Sequence, residues 1–297
     1  MIAQISTVLP DEFGKIDYEI DGILTGCCRV RQLTSSHEFE HVKIGSYLPD
    51  AVPLDDFNLP NVMTRVMSKT CKYAIIAGLT ALEKAGYISR DSEEPWTLCP
   101  EKRDRTGIIF TSSYSHHESL LNNVVNNTRR ATLKEFGILL KDHNIDDSIL
   151  KELTCNTEST RNKAALQTSL QANTQLAQII KARGPNTYCT NTCASTTAGL
   201  KIALNLIQLG EADRMIIIAA DTVLSNGGEC IVNSFSEMGA ASKEDSIQNA
   251  VLPFSSGRNG FVFGEGAISI IIESPDVCVY PTIELVSCKM ANSAHHG

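Results

Sequence analysis

Apolar positions along this chain follow two periods. In "PNVMTRVMSKTCKYAIIAGLTALEKAGY" apolar side chains recur at Val66, Ala74, Ala77, Leu79 and Leu82, and Gly86 follows the last turn, which predicts a helix with a glycine cap. The polar, proline-bounded stretch "DSEEPWTLCPEKRDR" reads as a loop leading into "TGIIFTSS", a short buried strand. Residues 119–181 are helical and polar in pattern, "RRATLKEFGILLKDHNIDDSILKEL" being the clearest amphipathic piece. Gly184 and Pro185 break that pattern, and residues 187–192 are β-prone. Residues 194–209 form a helix closed by Gly210, with Leu200, Ile202, Ala203, Leu204, Leu206 and Ile207 nearly encircling its axis, so a buried helix is expected. Residues 215–220 are a fully buried strand, and "GFVFGEGAISIIIES" supplies another, entered through three glycines. Strand, buried helix and buried strand in succession make a βαβ-type unit, so the fold class is α/β with helices layered over a sheet.

Composition narrows the function. The chain has 297 residues, enough for one large domain or two smaller ones, with 42% apolar and 20% charged residues, as in ordinary globular proteins. A net charge of −8 disfavours nucleic acid and anionic membranes as partners, since both call for concentrated positive charge. The start "MIAQISTVLPDEFGKID" lacks the basic head of a secretory signal, and the longest apolar runs fall far short of the roughly 20 residues that span a bilayer, so a cytoplasmic protein is expected. Ten cysteines at irregular spacing then read as reduced thiols. Cys27, Cys28, Cys71, Cys99, Cys155, Cys230, Cys278 and Cys288 are assigned to inert packing.

Cys189 and Cys193 pose a separate question. A zinc site needs about four ligands, usually as two close pairs, and no second pair stands at a sensible spacing. Three residues separate these cysteines, where a thioredoxin-like redox pair has two. Neither a metal nor a cofactor is therefore expected. Cys193 closes a β-prone segment and opens a helix, a place where unpaired N–H groups and the positive dipole end favour a thiolate. Plain packing and nucleophilic chemistry both remain open on these grounds.

Three ordered motifs carry a resemblance. "NTCASTTAGLKIALNLIQLGEAD" resembles the active-site segment of the β-ketoacyl-ACP synthases, in which Thr/Ser-x-Cys-x-Ser/Thr heads a buried helix ending in Gly-Glu/Asp-x-Asp. "FSEMGAASKED" is similar to the family stretch over the acyl pocket, and "LPFSSGRNGFVFGEGAISIIIE" to the family's P-F-D-x-x-R-D-G-F-V-x-G-E-G-A segment. The resemblance implies a thiolase-like α/β/α fold, with residues 1–275 an N-terminal synthase domain and 276–297 the start of a largely missing C-terminal half.

By the same resemblance Cys193 is the catalytic nucleophile, taking an acyl chain as a thioester for condensation with a malonyl-type extender in fatty-acid or polyketide synthesis. Its own N–H is one of two donors to the thioester oxygen. Phe235 and Met238 wall the acyl pocket, with Phe261 and Gly264 also at the substrate, and Gly264 and Gly266 give tight backbone packing at the floor. Glu265 is a structural hydrogen-bond acceptor. The implied partner is an acyl carrier protein, docking on Arg129 with Arg130 or on Lys102 with Arg103 and Arg105. A homodimer formed through residues 186–192, or pairing with a separately encoded second half, is also implied.

The departures point to a second reading. The family's two catalytic histidine motifs do not occur, and His116, His117, His295 and His296 stand in unrelated contexts. "MIAQISTVL" is a poor match to the family's opening strand, and Asn259 replaces an aspartate beside Arg258. A catalytically incomplete relative that serves as scaffold or dimer partner is the alternative.

Overall fold

A computed structural model describes residues 2–10, 16–17, 29–33, 39, 41–64, 67–114, 172–224, 228–279, 283–291 and 294. Its centre is a six-stranded mixed sheet of β1 (Ile2–Pro10), β2 (Ile16–Asp17), β5 (Thr106–Thr111), β6 (Asn186–Cys189), β7 (Arg214–Asp221) and β8 (Gly266–Glu273), in the order β2-β1-β8-β7-β5-β6. β3 (Arg31–Gln32) and β4 (Ile44–Gly45) form a separate small ladder. β5 runs parallel to both β6 and β7, while β8 is antiparallel to β7 and β1.

Period-2 alternation sorts the strand residues onto two faces. Ile108, Phe110, Ile216, Ile218 and Ile271 join the core under helices α1 (Lys69–Lys84) and α2 (Ala172–Ile180). Ile109, Met215, Ile217, Ile270 and Ile272 pack with Ala203 of α3 (Ser195–Gln208) on the other face. The three layers are those expected of the sequence, and β6, α3 and β7 form the anticipated parallel unit with β5 between the strands.

Four sequence expectations are corrected. The helix expected before Gly86 is divided: Ser68, in extended conformation, accepts the Cys71 N–H at 3.1 Å and caps a new start at Lys69, while Gly86 takes the expected left-handed φ of 72°. The N-terminal stretch is a full nine-residue strand, because the isoleucine-rich β8 offers it an apolar antiparallel partner. The strand "GFVFGEGAISIIIES" begins only at Gly266, and Phe261 and Gly264 make single bridges to Ala241 and Ser46.

The fourth concerns α3, which is not buried all round. Only Ser195, Ala198, Gly199 and Ala203 are covered, since the sheet lies on one side of the helix. Leu200, Ile202, Leu204, Leu206 and Ile207 are half-buried, and Leu209 is 73% exposed. The chain after β8 reaches this side, where Leu285 packs and the Cys288 thiol lies 3.5 Å from the Thr197 carbonyl oxygen. The amphipathic piece within residues 129–153 lies outside the described residues.

Candidate active site

Strand register brings the C-terminal ends of β5, β6 and β7 to one edge of the sheet with the start of β8: Thr111 stands beside Cys189 and Ala219, and Asp221 beside Gly266. Such an edge is where open α/β sheets offer a crevice for ligands. The β-prone stretch ends as a strand at Cys189, and a turn carries the chain into α3. Thr192 in this turn is left-handed, φ 48°, which is uncommon for a β-branched residue. Cys193 follows it and is exposed, one residue ahead of the N-cap Ala194, whose side chain makes no capping bond. Hydrogen bonds within the turn are donated by the amides of Asn191, Ala194 and Ser195, and none by Cys193.

Gly199 sets how closely α3 approaches the sheet. A Cβ there would lie 2.6 Å from Thr111 Cγ2, so only glycine lets the first turns of the helix descend onto β5. Cys189, by contrast, is half-buried, and desolvation raises its thiol pKa. Cys71 is buried and pushed up to about 12 by the same cause. Cys230 is exposed, against the packing role assigned to it, because α4 (Glu229–Glu237) turns that face to solvent. Cys27, Cys28 and Cys155 lie outside the described residues.

Tyr114, just past β5, has its hydroxyl pKa pushed up to about 12 by burial first and then by its electrostatic neighbours Asp221 and Cys193. Its ring meets Phe235 edge-on at 6.2 Å, and Phe235 in turn packs edge-on against Phe261 at 5.6 Å and Phe263 at 5.9 Å. Ser113, next to Tyr114 in the chain, bonds the Thr192 carbonyl just ahead of Cys193, so the Tyr114, Phe235 and Phe261 rings connect to the cysteine's turn. Met238 is not part of it: it caps the C-terminus of α4 and is 74% exposed. Gly264 shares a groove of about 490 Å³ with Phe261 and Phe263. Its expected tight packing is absent, since the nearest neighbour of an added Cβ is Ser46 at 4.0 Å, and a Cβ at Gly266 would meet the movable end of Leu9 at 2.9 Å. The glycine of this segment that is sterically required is Gly260, φ 125°, where a Cβ would come within 2.7 Å of the Ala240 carbonyl.

Glu265 is the hydrogen-bond acceptor anticipated from sequence. One carboxylate oxygen accepts the Leu48 N–H at 2.8 Å and the Lys69 ammonium at 3.0 Å, and the other accepts the Leu224 N–H at 2.9 Å. It thereby ties the loops after β4 and β7 to the third motif. Asn259, in place of aspartate, accepts the Ser242 hydroxyl at 2.8 Å. The cations proposed for docking are partly engaged: Arg105 pairs with Asp213 at 2.7 Å, Arg103 with Glu94 at 3.5 Å, and Lys102 lies 5.0 Å over the Tyr87 ring. Arg129, Arg130, His116, His117, His295 and His296 lie outside the described residues, among which His41 is the single histidine. No cluster of three or more metal-ligating side chains occurs among the described residues, and no helix there is long and apolar enough to cross a membrane.

Sequence reasoning missed Tyr114 and Asp221. Neither belongs to a motif, and both stand at strand ends far from Cys193 in sequence. The signal that could have found them is position alone, polar residues at the C-terminal ends of the apolar strands that converge on one sheet edge.

Comparison with known proteins bears on the fold and the family. Residues 34–276 match the family described as Beta-ketoacyl synthase, N-terminal domain. Over 100 residues the chain is 36% identical to 3-oxoacyl-[acyl-carrier-protein] synthase 2 of Staphylococcus aureus, covering 34% of this chain and 24% of that protein. Over 99 residues it is 32% identical to a putative polyketide beta-ketoacyl synthase 1 of Streptomyces virginiae, covering 33% and 23%. The chain thus spans about a quarter of the length of the curated relatives it matches. Among solved structures, a Beta-ketoacyl synthase from Burkholderia phymatum STM815 superposes with TM-score 0.63 at 22% identity, covering 93% of this chain and 59% of that one. The ishigamide ketosynthase/chain length factor gives TM-score 0.59 at 14% identity, covering 94% and 63%. These likenesses carry the fold, which is the thiolase-like α/β/α layering that the motifs implied. With the family match running over most of its length, the chain belongs to the β-ketoacyl synthases, through their N-terminal domain.

Proposed function

We propose that the chain carries the acyl-accepting half of a β-ketoacyl synthase site, with Cys193 as nucleophile. The observation that carries this reading is the placement of an exposed cysteine on a strained turn, ahead of an uncapped helix start and linked through Ser113 and Tyr114 to an aromatic cluster. The Cys193 sulfur attacks the carbonyl of an acyl thioester, the oxyanion collapses, and the donor leaves as a free thiol while the acyl group stays on Cys193. The Cys193 N–H, not used within the turn, is available to the developing oxyanion. Phe235 and Phe261, with Tyr114 and Phe263, offer apolar surface to the acyl chain. Met238 has too little contact with that surface to be kept in this role.

The donor in this reading is an acyl carrier protein, and a solved relative is described as an acyl-carrier protein in complex with its ketosynthase. Residues 1–275 act as the N-terminal domain and 276–297 begin the C-terminal half. Two features support completion by further protein: the half-buried apolar side of α3, and β6, which pairs only with β5 among the described residues and offers an edge to a second copy. Acylation needs only Cys193 and its oxyanion donors, whereas decarboxylative condensation also needs an electrostatic partner opposite the sulfur.

The second reading, a partner subunit without condensing activity, is suggested by likeness to a structure described as a ketosynthase/chain length factor. Intact-mass spectrometry after incubation with an acyl thioester separates the two. One acyl adduct, lost in Cys193→Ala, supports the nucleophile, and an unmodified wild-type chain leaves only the partner role.

A further inference from the structure

We propose that Asp221 is a positioning residue for Cys193, acting through Ser112 and Ser113 on the turn that holds the sulfur. This inference rests on Cys193 being the acyl acceptor. Asp221 ends β7, and its carboxylate collects donors from the residues just past β5. Oδ1 accepts the Ser112 hydroxyl at 2.6 Å, the Ser113 amide at 3.1 Å and the Tyr114 amide at 3.3 Å, while Oδ2 accepts the Ser113 amide at 3.0 Å. An ionised carboxylate is acceptor-only and can satisfy all of these at once, whereas an amide would turn an N–H toward one of them.

The residues so fixed are those that grip the nucleophile's turn. Ser113 donates its hydroxyl to the Thr192 carbonyl at 3.1 Å. The buried Ser195 hydroxyl is shared between the Ser112 carbonyl at 3.1 Å and the Thr192 carbonyl at 2.6 Å, and it accepts the Asn191 amide at 2.8 Å. The Thr192 carbonyl also receives the Ser195 amide at 3.1 Å. Three donors therefore converge on the one peptide whose left-handed residue aims Cys193, and a strained residue persists only where its surroundings over-determine it. Asp221 is the charged end of that chain of contacts. A purely structural Asp221 would hold the β5 loop without affecting how Cys193 is presented.

The test compares the 297-residue chain with Asp221→Asn, Ser113→Ala and the double variant. Iodoacetamide forms a thioether with loss of iodide, and peptide mapping reads the rate at Cys193 relative to Cys230, the other exposed cysteine among the described residues. Asp221→Asn lowers this ratio by about tenfold and Ser113→Ala by about threefold, in the range that misplacement of a reacting group produces. The double variant is no worse than Asp221→Asn, because both changes act along one path. A ratio unchanged in Asp221→Asn, or losses that multiply in the double variant, overturns the proposal. Should Asp221→Asn fail to fold, Ser113→Ala decides alone, and an unchanged ratio overturns it. Failure of the wild-type chain to take an acyl group is a separate result: it removes the proposed function and leaves the alkylation comparison standing.

Discussion

The two ends of β7 treat their charges in opposite ways. At the first residue, Arg214 is buried and paired with the buried Glu273 of β8, which also accepts the Tyr87 hydroxyl at 2.6 Å, while the guanidinium stacks 3.9 Å over the Tyr87 ring. At the last, the Asp221 carboxylate is spent on holding a loop, and beside it Cys193 stands exposed on a left-handed turn. Tyrosines at both ends are pushed up to about 12, foremost by burial. The secondary causes differ, however: at the closed end Tyr87 donates to Glu273, and at the open end the electrostatic neighbours of Tyr114 are Asp221 and Cys193. One strand thus has an end whose buried charges pair with each other and an end whose polar groups serve a neighbour, which is how stability and chemistry are kept apart within one sheet.

Three perturbations would break or sharpen that contrast. The largest is Arg214→Met, which leaves the Glu273 carboxylate buried without its cation and costs about 3–5 kcal/mol. Urea denaturation measures this, and Cys193 labelling of the remaining folded protein stays at the wild-type rate. A parallel loss of labelling would mean that the two ends are coupled.

Next is Gly199→Val, whose Cβ would meet Thr111 at 2.6 Å and cost about 1–3 kcal/mol by overpacking. Because it lifts the first turns of α3, it lowers stability and Cys193 labelling together, and a change in melting alone would contradict this account of the helix.

The smallest effect belongs to Asp213, whose pKa is held below the usual carboxylate value by the Arg105 guanidinium. A depressed folded-state value contributes stability above the unfolded pKa and loses it as pH falls through the folded one. Asp213→Asn therefore lowers the melting temperature slightly near neutrality and not at all in strong acid, as befits a solvent-screened pair.

Much of the fold was legible because hydrophobic periodicity is a local property. β5, β7 and α3 stand within a residue or two of where their patterns placed them. The place of Cys193 at a strand-to-helix turn was legible for a related reason, while its role as nucleophile came only from the resemblance. Misreadings arose where burial depends on what lies opposite. α3 is apolar nearly all round yet covered by one sheet on one side, Met238 was assigned to a pocket wall by its motif yet faces solvent, and Gly264 sits in open space although its motif suggested close packing.

What the sequence alone determined about this protein is the order of its strands and helices and the identity of the sulfur at their junction, because backbone propensity and side-chain period act over a few neighbouring residues. What tertiary structure decided is the company that sulfur keeps. Asp221 reaches Ser112 across 109 residues, Ser113 reaches Thr192 across 79, and Tyr114 meets Phe235 because β5 and β7 lie side by side in parallel. Contacts of that span follow from sheet order and register, which are fixed only when the whole apolar surface is buried at once.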